Sequence, residues 1–142
     1  MEAFRDDLMI GAGMIAFTVF VHSSFIASAG RILRPLGPGR TRLLHVIRDP
    51  LVLVFLSLWL LLAHWFSIGA WAWTMKQVGA VASMEDGMHV AANAYTTLGV
   101  SETLLSPDWF ILGGIAAANG FFLFGLSTAY LFSVFTRFRI GV

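Results

Sequence analysis

The chain has 142 residues, of which 58% are hydrophobic and only 12% charged, with a net charge of +1. Soluble domains average about 25% charged residues, so the composition excludes an ordinary soluble domain and points to an integral membrane protein. There is no cysteine, which removes disulfides and thiol chemistry from consideration.

Three runs carry no Asp, Glu, Lys or Arg: residues 8–30, 50–75 and 109–136. Each exceeds the roughly 20 residues that cross a hydrocarbon core of about 30 Å, so three spanning helices are predicted. The leader before the first run, Glu2-Ala3-Phe4-Arg5-Asp6-Asp7, is acidic, and the run is too long for a signal core, so it reads as a span rather than a signal peptide. Gly11, Gly13, Ala16, Ser23, Ser24, Ala27 and Ser28 give it small residues for close helix packing. His22 sits near its middle, where an ionisable group is a functional candidate.

Residues 31–48 hold Arg31, Arg34, Arg40, Arg42 and Arg48 and no acid, with Pro35, Gly37, Pro38 and Gly39 marking a turn. Arginine excess in a short loop predicts a cytoplasmic location. Flanked by spans, this patch suits topology and anionic lipid rather than nucleic acid. Asp49 and Pro50 read as the cap and first position of the second span. That span carries His64, and Trp71 and Trp73 are expected in an aromatic belt at the outer interface.

Ser83, with Glu85 and Asp86 behind it, reads as the N-cap and acidic first turn of a short helix reaching Tyr95. The stretch Thr96-Thr97-Leu98-Gly99-Val100-Ser101-Glu102 follows. It is too short and polar to span, and non-helical backbone at membrane depth is tolerated only inside protein or along a wet path. Ser106-Pro107-Asp108 starts the third span. Asn119, Leu123 and Ser127, with Tyr130, share one face of it. Two uses of that face are open, lining a wet cavity or bonding to a neighbouring helix.

The order of spanning helix, short helix, Thr-Thr-Leu-Gly, acid and spanning helix resembles the pore module of the potassium-channel superfamily. Ala94-Tyr95-Thr96-Thr97-Leu98-Gly99 and Ala118-Asn119-Gly120-Phe121-Phe122-Leu123-Phe124-Gly125 carry the likeness most specifically. Val21-His22, Leu62-Ala63-His64 and Ile68-Gly69-Ala70-Trp71-Ala72 extend it to small bacterial ion-channel proteins with one extra N-terminal helix. The resemblance implies an all-α membrane fold of three transmembrane helices, with a re-entrant pore helix and filter loop over residues 83–102 between the second and third. It further implies a homotetramer in a bacterial inner membrane, while the segregation of the arginines predicts the N-terminus outside and the C-terminus cytoplasmic. Monovalent cations would pass rings of backbone carbonyls, with Asn119, Leu123 and Ser127 as the inner-helix pore face.

The family filter reads Thr-x-Gly-Tyr-Gly-Asp. Here Thr97, Leu98 and Gly99 match its first half, while Val100, Ser101 and Glu102 stand where tyrosine, glycine and aspartate are usual. A serine in the left-handed conformation costs about 1–2 kcal/mol, so weak potassium selectivity is expected. Two further readings are carried. One is a non-conducting subunit of this fold packed into a larger membrane complex. The other is a redox subunit in which His22 and His64 ligate haem. No nucleophile–base pair, phosphate loop or metal-ligand spacing is visible, and no enzyme activity is expected.

Overall fold

The computed structural model describes residues 2–33, 42–100 and 103–140. They form α1 (Glu2–Leu33), α2 (Arg42–Gln77), α3 (Met84–Tyr95), a single 3-10 turn (Pro107–Trp109) and α4 (Phe110–Ile140). Among the described residues there is no strand. Phe4–Ile32, Ile47–Gln77 and Pro107–Thr136 are long and apolar enough to cross a membrane. Each is about 44–46 Å long at 1.5 Å per residue, longer than the roughly 30 Å of a hydrocarbon core.

Two helices begin earlier than their charge-free runs. In α1 the acidic leader is helical from Glu2, because carboxylates suit the positive end of a helix. In α2 the helix starts at Arg42 and runs through Pro50, so Asp49 is not its cap. Proline removes one donor only, and membrane helices tolerate the loss. Asp49 instead pairs with Arg48 of the preceding position, Nη2 to Oδ1 at 3.1 Å.

The connection from α2 to α3 closes tightly. Ala80 donates to the Met75 carbonyl and Gly79 to that of Lys76, with Gly79 at φ 76°. This is a Schellman end with glycine at the left-handed position. The start of α3 is as read from the sequence: Ser83 Oγ accepts from the Asp86 amide at 3.0 Å and donates to the Asp86 carboxylate at 2.7 Å.

The core lies where α3 is wedged between α2 and α4, built on Trp71, Met75, Val90, Tyr95, Leu112, Ala116 and Leu123. Two glycines permit the wedge. A Cβ on Gly87 would stand 2.9 Å from the Ala72 carbonyl oxygen, and one on Gly120 would collide with the Tyr95 backbone carbonyl. Trp71 is fully buried in this core, not in an interfacial belt, while Trp73 is exposed. The helical period explains the split, since positions two apart face different sides. A smaller cluster of Ala29, Val52 and Leu56 lies against Trp59, Tyr130, Leu131 and Val134.

The first helix packs across α2 and α4. A Cβ on Gly11 would stand 2.7 Å from Ile115 Cδ1, so the glycine lets α1 and α4 approach closely, and Trp59 Nε1 of α2 donates to the Phe25 carbonyl at 3.0 Å. The extra helix therefore covers one side of α4 and leaves another side bare.

Candidate functional site: the loop after the third helix and a buried histidine chain

At the end of α3, Leu98 donates to the Asn93 carbonyl and Thr97 to that of Ala94, both at 2.9 Å. The pattern is the same Schellman end found at Gly79, but the left-handed position holds Thr97 at φ 60°. A β-branched residue there is a true outlier, and non-glycine residues in this region cost of order 1–3 kcal/mol, often at functional sites. Thr96 turns its hydroxyl back to the Ala92 carbonyl at 2.7 Å. The Leu98 side chain is 80% exposed, and Gly99 has φ 115°. Val100 is half-buried over Gly113 of α4, within 3.1 Å of where a Cβ would stand. Beyond it, Leu105 is buried and the Ser106 amide donates to the Ala80 carbonyl at 2.9 Å. Ser101 and Glu102 lie outside the described residues.

The face of α4 singled out by its polar residues is turned inward. Asn119, Leu123 and Ser127 are all buried. Asn119 Nδ2 donates to Thr18 Oγ1 of α1 at 2.7 Å, and Ser127 Oγ lies 2.7 Å from His22 Nε2 and 3.0 Å from His64 Nε2. Of the two uses open in the sequence, this is bonding to neighbouring helices, and the face does not line open space. The period had put these residues on one side correctly; the packing of α1 against that side decided what they meet.

The side of α4 away from α1 is bare. Gly114, Ala118, Phe121, Gly125, Thr128 and Phe132 are exposed at alternating spacings of four and three. They form a stripe of mostly small and aromatic residues along the exposed side of the helix. Phe121 is 74% exposed, and the stripe's lower half lines a shallow cavity with Phe124 and Ala129. Phe121 follows Gly120, so the stripe borders the face that carries Tyr95.

His22, Ser127, His64 and Tyr95 form one buried hydrogen-bonded chain drawn from α1, α4, α2 and α3, completed by His64 Nδ1 to Tyr95 Oη at 3.1 Å. The imidazole of His64 stacks on Phe124 with centroids 4.2 Å apart, and the His22 ring lies 4.7 Å from that of His64. His22 Nδ1 and Asn119 Oδ1 are buried without partners. The ring separation and the shared hydroxyl leave no slot for a porphyrin plane between the imidazoles, so the pair does not fit haem. Among the described residues, no group of three His, Cys, Asp or Glu side chains is placed to hold a metal ion.

Sequence reasoning had singled out His22, His64 and Ser127 separately. It missed Tyr95 as the partner of His64 and Thr18 as the partner of Asn119, since the contacts cross from one helix to another. It also missed Asp7, which is 1% exposed with Oδ1 unpaired. Compared with protein-family models, curated proteins and solved structures, the chain matches none.

Proposed function

We propose that the chain is the pore subunit of a cation channel on the potassium-channel plan. In this reading it assembles as a homotetramer in a bacterial cytoplasmic membrane and discriminates weakly among monovalent cations. One observation carries it, the path of the backbone along α4. Tyr95 meets Gly120, ten residues into α4, and Val100 has returned to Gly113. At 1.5 Å per residue the chain reaches about 15 Å below the start of α4 and climbs back about 10 Å. Backbone of this kind beside spanning helices finds no partners in lipid, and Thr96, Thr97, Leu98 and Gly99 are exposed on the single chain. Further copies around an axis, with water and cations within it, satisfy those groups.

In this reading the pore-facing stripe of α4 is Gly114, Ala118, Phe121, Gly125, Thr128 and Phe132, which is exposed and borders the loop. Asn119, Leu123 and Ser127 hold α1 instead. The arginines of residues 31–48 and of the C-terminal end face the cytoplasm.

The test is electrical. Val100→Tyr with Ser101→Gly rebuilds the usual family sequence, and reversal potentials in mixed potassium and sodium are expected to move toward the potassium value. A native protein already strongly selective for potassium, or two silent proteins in lipid bilayers, overturns the reading. Silence in both leaves the second reading, a non-conducting subunit of a larger membrane assembly. That reading is favoured by one observation: the Schellman end engages the Asn93 and Ala94 carbonyls within the chain.

A further inference from the structure

The buried histidine chain is not used by the proposed pore, and it ties together all four helices. Its proton arithmetic is restrictive. A neutral imidazole has one N–H and one bare nitrogen, and a hydroxyl has one proton. Ser127 Oγ stands between two Nε2 atoms. The neutral chain is satisfied when each member donates to the next. In one order His22 donates to Ser127, Ser127 to His64, and His64 to Tyr95; the other order is the reverse. Either order needs His64 neutral, because it donates from one nitrogen and accepts at the other. The second order needs His22 neutral too, and in the first an added proton on His22 Nδ1 finds no acceptor.

A proton added to this chain has no anion to meet. Toward the pair, α1 presents His22 and Thr18, α2 presents His64 and Ser67, α3 presents Tyr95, and α4 presents Ser127, Asn119 and Phe124. None is a carboxylate, lysine or arginine. The nearest acids along α1, α2 and α3 are Asp7, Asp49 and Asp86, which lie at least about 13 Å away along their helix axes. Protonating both rings sets two cations side by side, with centroids 4.7 Å apart. Buried unpaired charge is strongly disfavoured, and the least anchored member is His22, whose Nδ1 has no partner.

We propose that His22, Ser127, His64 and Tyr95 form a proton-operated latch. When neutral, the latch clamps α1 to α2 and α4 and fixes Tyr95 at the foot of the Thr96–Thr97 turn. On protonation, His22 withdraws, α1 separates from α2, and the support under Tyr95 is lost.

The test reads helix positions and needs no current, so it stands or falls separately from the channel reading. The chain has no cysteine, so cysteines at Phe20 of α1 and Leu62 of α2, both exposed, can be spin-labelled cleanly. Labelled full-length chains diluted with unlabelled ones in lipid nanodiscs give the α1–α2 distance by pulsed electron resonance. Acidification from about pH 8 to about pH 3.5, which reaches below the ordinary imidazole range because burial disfavours the charged ring, is expected to lengthen or broaden that distance. A His22→Asn/His64→Gln chain is expected to ignore pH. Ser127→Ala, which keeps both rings but removes the shared hydroxyl, is expected to show the acid distance already at about pH 8. A native distance indifferent to pH, a double variant that still responds, or a Ser127→Ala chain indistinguishable from native overturns the proposal.

Discussion

Thr97 and Gly79 hold the same position in two helix ends of the same geometry, at φ 60° and 76°. Glycine adopts that conformation without steric penalty, whereas threonine bears about 1–2 kcal/mol of strain. The Thr97 side chain is exposed and offsets none of this by packing. Thr97→Gly is therefore expected to raise thermal stability by up to about 1 kcal/mol, after the entropy cost of glycine of about 0.5–1 kcal/mol. Thermal unfolding in detergent measures it, and a clear loss of stability would contradict the strain assignment. Gly120 behaves in the opposite way. A Cβ there meets the Tyr95 carbonyl, a backbone atom that cannot rotate aside. Gly120→Ala is expected to cost at least the upper end of the roughly 1–3 kcal/mol typical of overpacking. Gly13→Ala, where a Cβ meets nothing within 4 Å, serves as the control. It is expected to be neutral or stabilising by up to about 1 kcal/mol, the helix-propensity difference. Similar losses from both alanines would show that the close crossing does not set the cost.

At the scale of the element, α4 presents two polar-or-apolar faces with different duties. Asn119 and Ser127 bind α1 and the histidines, while Phe121 and Phe132 project outward. Asn119→Leu is expected to loosen α1 by the worth of one interhelical hydrogen bond, about 0.6 kcal/mol on average in a membrane, and to leave oligomer size unchanged. Phe121→Ala with Phe132→Ala, on the bare stripe, is expected to reduce assembly while leaving the single chain folded. Native mass measurement in detergent separates the two effects. An oligomer lost with Asn119→Leu but kept with the double phenylalanine variant would reverse the assignment of the faces.

For the whole molecule, the proposed topology of three spans with a re-entrant loop requires the N-terminal end and the segment after the loop to lie on one side. The motive is arginine segregation, with five arginines and no acid in residues 31–48. Single cysteines at Ala3 and Thr103 are both expected to react with an impermeant thiol reagent supplied from outside intact cells. Labelling of only one would break the topology.

Much of the architecture was already legible in the chain. The three spans are visible because crossing hydrocarbon demands long uncharged runs, and that demand acts on composition alone. The cap at Ser83 is local as well, a bond between residues three apart. The helical start at Arg42 was hidden because Pro50 signals a beginning more often than an interruption. The burial of Trp71 depends on the wedging of α3 between α2 and α4. The inward turn of Asn119 and Ser127 and the chain from His22 to Tyr95 depend on which side of α4 the first helix covers. Periodicity assigns residues to a face but does not say what that face meets. Only the packing of α1, α2 and α3 around α4 brings His22 and Ser127, 105 residues apart in sequence, within hydrogen-bonding distance.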